Sequence, residues 1–238
     1  MSLIDLRKDL KKKANPAKAK LLQGFFKTKK GEYGEGDVFL GIMVPIQREL
    51  VKKYSDLKLN DIQKLLNSKV HEERLIGLLI LVLQFKKSDG LKRQRISNFY
   101  LKNAKNINNW DLVDLTAPNI VGQFLLDKNK SILYQLAKSH DLWKKRIAIL
   151  STFTFIKNNQ FKDSLKIAEI LLMDKHDLIH KANGWMLREI GKRDLVKEES
   201  FLKKHYKNMP RTMLRYAIEK FLKQKRRIYL KKDNKIIK

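Results

Sequence analysis

The residues of this 238-residue chain whose types and spacing suit chemistry are three tryptophans and their ionisable neighbours. Trp110 and Asp114 lie four residues apart in NWDLVDL, so on a helix they share one face. Trp185 has Arg188 three residues on, in NGWMLRE, and Arg146 falls near the matching position one repeat earlier. An aspartate on an otherwise apolar helix face beside an indole has two readings. It is a cap or ion-pair partner, or it meets positive charge developing on a substrate, and the bare pattern leaves both open. Trp143 reads as core, because Ile147 and Leu150 continue its face at helical spacing. Other chemistries lack their residues. Without cysteine there is no disulfide scaffold, no Cys-ligated zinc or iron–sulfur site and no thiol catalysis. Five scattered histidines give no metal centre, and no metal or cofactor is expected. HExxH, P-loop and Ser-His-Asp groupings are all missing, and GEYGEG (31–36) follows no strand, so it reads as a loop.

The elements that must position these residues are helices. Only four prolines and ten glycines interrupt the chain. Residues 2–13 and 17–26 read as an amphipathic pair broken at Pro16, with Asn15 as cap. The Gly-rich stretch 27–38 is expected to be a flexible loop. Helical periodicity resumes at Pro45 and continues through 59–67, 71–86, 89–104, 110–117 and 120–126. It runs on through 130–138, 141–157, 161–173, 177–191, 195–206 and 211–225, and 226–238 reads as a basic tail. No segment keeps the period of a strand. A repeat is visible: HDLWKKRIAIL begins at His140 and HDLIHKANGWMLREI at His176, each with an Asp placed to cap a long helix, and HEERLIGLLILVL from His71 has the same shape. Both histidines are read as repeat-start residues. Helix pairs at this interval predict one all-α, HEAT-like or armadillo-like repeat solenoid spanning 1–238, with a concave basic groove.

The charge points to the partner. The net charge is +28, and residues 201–238 hold 14 basic side chains against Glu219 and Asp233. An AT-rich coding bias accounts for part of the lysine excess (41 Lys against 12 Arg) but not for the scarcity of acids. Such clusters bind polyanions through counterion release, so nucleic acid is the leading partner. The longest apolar run, Leu75 to Leu83, is nine residues, where a membrane span needs about 20. The N-terminus has no signal-peptide core, and a soluble, cytoplasmic protein acting as a monomer is expected.

At this level of detail the chain resembles the AlkD-type DNA glycosylases, HEAT-like repeat enzymes of DNA alkylation repair. The likeness rests on FLGIMVPIQREL (39–50), NWDLVDLTAPNIVGQFLL (109–126), LWKKRIAIL (142–150) and KANGWMLREIGK (181–192). It implies hydrolysis of the N-glycosidic bond of cationic N3- and N7-alkylpurines in duplex DNA, without metal. Residue by residue, it implies that Asp114 is the catalytic carboxylate and that Trp110 and Trp185 are the aromatics packing on the lesion sugar. It makes Arg146 a contact to the DNA backbone, with Arg188, Lys144 and Lys181 as further DNA-binding residues. Two stretches depart from the family pattern. KTKKGEYGEGDV stands where a short turn is usual, and Asn109 where many relatives carry an aromatic. Phe25 and Phe26, just before that stretch, either supply aromatic surface in compensation for Asn109 or, as expected first, pack the N-terminal pair. The alternative functions are a non-catalytic relative that binds duplex or branched DNA, and a helical scaffold for protein partners.

Overall fold

The computed structural model describes residues 1–231, and their regular structure is helical, with a single isolated bridge between Val38 and Val70. The described residues form two compact units, the first running to residue 128 and the second beginning at residue 129. The first holds α1 (Leu3–Lys13), α2 (Pro16–Phe25), α3 (Val44–Lys53), α4 (Leu59–Leu66), α5 (His71–Lys86), α6 (Gly90–Lys102), α7 (Trp110–Ala117) and the short α8 (Gln123–Leu125). The second holds α9 (Ser131–Ala137), α10 (Leu142–Lys157), α11 (Lys162–Ile170), α12 (Asp177–Gly191), α13 (Leu195–His205), α14 (Arg211–Ala217) and α15 (Lys223–Leu230). Helices follow one another in pairs, and the second member of each central pair is the long buried one. Thus α5 buries nearly its whole length, from His71 to Phe85, and α10 nearly all of its residues from Trp143 to Ile156. The all-α, paired-helix expectation holds.

Local signals explain most boundaries. Asn15 caps α2 through its side-chain oxygen, which accepts from the Lys18 amide, and Pro16 occupies the first turn, where its missing N–H costs nothing. Asp141 caps α10, accepting from the amides of Trp143 and Lys144.

Four details differ from the sequence reading. The HDL motif does not cap both helices alike. At the second copy His176 is the cap, its Nδ1 accepting from the Leu178 amide, and Asp177 is already helical. The cause lies two residues earlier: Asp174 accepts the His176 amide at 2.8 Å, which turns the ring onto the helix end. Burial lowers the pKa of His176 and keeps the ring neutral, as an acceptor must be. The chain also runs through Pro118 without the expected break. Pro118 cannot donate to the carbonyl four residues back, and the turn widens into a π-helical stretch, Pro118–Gly122, that leads directly into α8. The segment expected as one helix, 211–225, is two, separated by a tight 3-10 turn at Ile218–Lys220. Lastly, 226–230 of the expected basic tail belong to α15, while 232–238 lie outside the described residues.

Candidate active site

In the first unit the site is built on α7. Its buried side carries Asp111, Leu112, Val113, Thr116 and Ala117, so Trp110 and Asp114, one turn apart, fall on the half-buried side. Asn109 opens the helix, its side chain accepting from the Trp110 amide at 2.8 Å. The two acids of WDLVDL therefore have different surroundings. Asp111 is turned inward, one oxygen accepting the Leu112 amide and the other lying 2.8 Å from His71 Nε2. Asp114 shares the outer face with the indole. Its negative charge is felt at the fully buried Tyr100, whose phenol is pushed well up, first by burial and then by Asp114 against a lowering bond from Thr116.

His71 belongs to a buried ionic cluster at the start of α5, where the sequence reads HEER. Its Nδ1 lies 3.3 Å from Asp37 Oδ2, and Arg74 Nη2 lies 2.6 Å from the same oxygen. With Asp111, all four side chains of the cluster are under 10% exposed. Burial alone would raise the Asp37 carboxyl, but the His71 bond and the Arg74 charge outweigh it and hold the group below its ordinary value. Burial likewise pulls the His71 pKa down, and the Asp111 charge and the bonds to Asp111 and Asp37 carry it above the ordinary histidine value.

What brings Asp37 there is the glycine-rich stretch, which is not an open loop. Its turns close on themselves: the Lys29 amide donates to Glu32, the Gly31 amide to Glu35 and the Gly34 amide to the Lys27 carbonyl. Beyond it the chain is laced to α5. Val38 pairs with Lys69 and His71 through backbone bonds, and the Glu72 carboxylate accepts the amides of Leu40, Gly41 and Ile42. Gly41 is required here: its φ is +80°, and a Cβ would sit 2.1 Å from the Asn15 carbonyl oxygen.

Aromatic rings complete the site. Phe26 stacks on Trp110 (centroids 5.2 Å, planes 19° apart) and on Phe39 (5.0 Å, 17°), and Phe39 stacks on His71 (4.5 Å, 20°). Phe25 meets Trp110 edge-on at 5.9 Å and is 63% exposed. The expectation that Phe25 and Phe26 pack the N-terminal pair is therefore corrected. Phe26 is buried in a stack on Trp110 and Phe25 lies at the surface beside the indole, so the two rings supply the aromatic surface of the second reading. A cavity of about 170 Å³ opens behind this cluster, lined by Phe25, Phe26, Phe39, Met43, His71 and Asp111 among others.

In the second unit Trp185 is half-buried on α12, its indole N–H donating to Glu189 at 3.2 Å and its ring 5.7 Å from Phe153. Glu189 also accepts from Lys192, and Arg193 lies 3.5 Å away. Burial would raise its carboxyl, but Lys192, Trp185 and Arg188 hold it low, so a charged group fixes the indole. Arg188 pairs with Glu219. Lys181 pairs with Asp177 at 2.6 Å, and Lys144 sits half-buried on the first turn of α10. Arg146 is buried, and its guanidinium donates to the Leu178 carbonyl at 2.5 Å, tying α10 to α12. Trp143 is buried, as its apolar face suggests. Among the described residues no group of His, Asp and Glu is placed to hold a metal ion, and no helix is long and apolar enough to cross a membrane.

Sequence reasoning thus placed Trp110 and Asp114 on one helix face, as the structure does, but gave no role to Asp37, His71, Arg74 and Glu189. A signal existed for the middle two: four consecutive polar or charged residues directly before an apolar run that must be buried require partners.

A paired-helix fold with an indole and a carboxylate on one face of a helix is the class these features define. The model of the DNA alkylation repair enzyme family matches residues 6–221, and the chain belongs to that family. A solved structure of a predicted DNA alkylation repair enzyme from Enterococcus faecalis is similar, with a TM-score of 0.67 over 89% of this chain and 98% of that one at 15% identity, a likeness in fold. No curated protein matches the chain in sequence.

Proposed function

We propose that this member of the DNA alkylation repair family is a monofunctional DNA glycosylase that hydrolyses the N-glycosidic bond of cationic N3- and N7-alkylpurines in duplex DNA. The observation that carries this reading is the division of labour in WDLVDL: Asp111 is held inward by His71, and Asp114 is the acid that shares the outer face with Trp110. Breaking the bond from C1′ to a positively charged base leaves oxocarbenium character on the sugar. A carboxylate about 4 Å from that cation stabilises it by about 4 kcal/mol at an effective dielectric near 20. If the attraction develops only in the transition state, it corresponds to roughly a thousandfold in rate. The faces of Trp110 and Phe25 offer negative quadrupole to the same charge, worth about 0.5–2 kcal/mol each. A cationic leaving group departs without prior protonation, which suits a carboxylate acting alone to stabilise the cation or orient water.

Trp185, Lys144, Lys181, Arg188 and Arg146, residues of the second unit, enter the proposal through the resemblance as DNA-binding residues. Lys144 and Lys181 would contact phosphates, which position a duplex without reading its sequence. Arg188 would do so only on leaving Glu219, and Arg146, buried against the Leu178 carbonyl, would support these residues from within the fold. The test is release of 7-methylguanine from methylated duplex DNA by wild type and by Asp114→Asn. Release by wild type alone supports the assignment. Release by both removes Asp114 from it, and no release with salt-sensitive duplex binding leaves a non-catalytic DNA-binding protein.

A further inference from the structure

The imidazole of His71 has a carboxylate oxygen at each nitrogen, Asp111 at 2.8 Å and Asp37 at 3.3 Å. Carboxylates only accept, and a neutral imidazole has one N–H, so it can satisfy only one of them. The doubly protonated ring satisfies both. With that ring charged, the buried cluster of His71, Arg74, Asp37 and Asp111 is neutral overall. Loss of the proton would leave a net negative charge and a lost donor in a place where both are costly. The charged groups facing the ring are Asp111 from α7, Asp37 from the turns, and Arg74 one turn along α5. Glu72, beside it on α5, is committed to the amides of residues 40–42, while Phe26 and Phe39 bring uncharged faces to the ring.

Two contacts of this ring lead toward Trp110, those with Asp111 and Phe26. Asp111 is the next residue in the first turn of α7. Phe26 lies against both His71 (5.1 Å) and Trp110 (5.2 Å). We propose that His71, as an imidazolium, is a positioning residue for the reaction assigned above to Asp114: through Asp111 it sets the first turn of α7, and through Phe26 the plane of Trp110. The inference rests on that assignment. It makes base release depend on the protonation of a group that touches no substrate, and it explains why a charged cluster is kept under an aromatic surface where apolar side chains would pack at less cost.

The test uses the full chain labelled with 5-fluorotryptophan, its three fluorine resonances assigned by single Trp→Phe variants. Resonances are followed between about pH 5 and 9, the range in which histidines titrate, alongside single-turnover release of 7-methylguanine and duplex affinity. In wild type the Trp110 resonance should move in one transition above the ordinary histidine value, and the release rate should fall through that same transition. In His71→Gln both transitions should vanish, with the rate lowered by about tenfold to a hundredfold, the cost of a small misplacement, and duplex affinity little changed. A Trp110 resonance in His71→Gln that matches wild type at every pH, or an unchanged rate–pH profile, overturns the proposal. If His71→Gln does not fold, Asp111→Asn takes its place: its transition should fall toward the ordinary histidine value, and an unmoved transition overturns the proposal. A wild-type Trp110 resonance that does not titrate overturns it without any variant. Should wild type release no base, the assignment of Asp114 fails, while the fluorine titration still decides whether His71 sets Trp110.

Discussion

His71 Nε2 and Asp111 Oδ2 stand 2.8 Å apart in the interior of the first unit, 40 residues apart in the chain, and this contact holds the first acid of WDLVDL inward while Asp114 stays on the half-buried side. The two acids should respond differently to the same change. Asp111→Asn removes one partner of a buried charge pair and should lower stability by about 3 kcal/mol, read from chemical denaturation. Asp114→Asn should leave stability nearly unchanged and slow base release by roughly a thousandfold. Equal losses of stability in the two variants would mean that Asp114 is also a structural acid.

That contrast marks the line between what was legible in the sequence and what was not. The shared face of Trp110 and Asp114 follows from four-residue spacing, and the caps at Asn15 and Asp141 from side chains placed next to the helices they end. The partner of Asp111 is set by packing of α5 on α7 and leaves no mark near residue 111. The same holds for His176, whose role as cap depends on Asp174, and for Phe25, whose place beside Trp110 depends on how the turns at 27–38 fold. Local patterns were readable. Contacts between distant segments appeared only as charged residues lacking visible partners, as in HEER.

Arg146 should act through structure. Arg146 is buried and its guanidinium donates to the Leu178 carbonyl, so Arg146→Ala removes a charged hydrogen bond and buried side-chain packing between α10 and α12 and should cost about 1–3 kcal/mol. Thermal and denaturant unfolding measure this directly. A variant of unchanged stability with weakened duplex binding would instead place the arginine on a phosphate, as the family resemblance implies.

Glu198 gives stability a pH dependence. It is 2% exposed, and its carboxylate fills the space beside Gly191, where a Cβ would lie 1.6 Å from Oε2. Burial, with Glu199 adding to it against Arg188 and Lys225, pushes its pKa up to about 8 from an ordinary 4.5. A raised value means that the folded state holds a proton the unfolded chain has given up. The contribution is complete below pH 4.5 and is lost as pH rises through about 8. The loss is on the order of 5 kcal/mol. Glu198→Gln should flatten this part of the stability–pH profile, and Gly191→Ala should destabilise at all pH values. Parallel profiles for wild type and Glu198→Gln would show that the carboxyl is ionised in the fold.

Arg188 meets DNA only by exchanging a partner, because Glu219 already pairs with its guanidinium. Glu219 is the more exposed of the two, at 45% for its side chain against 16%. A pair of this kind is worth about 0.2–1 kcal/mol, so a phosphate that takes the arginine loses that much of its own attraction. Glu219→Gln should therefore tighten duplex binding by up to about fivefold. If a phosphate then occupies Arg188, the slope of log affinity against log salt should steepen by about 0.9. Arg188→Gln should leave wild-type affinity little changed yet abolish the gain in the Glu219→Gln background. An equal gain with and without Arg188 would trace the effect to net charge alone and remove this arginine from the DNA-binding set.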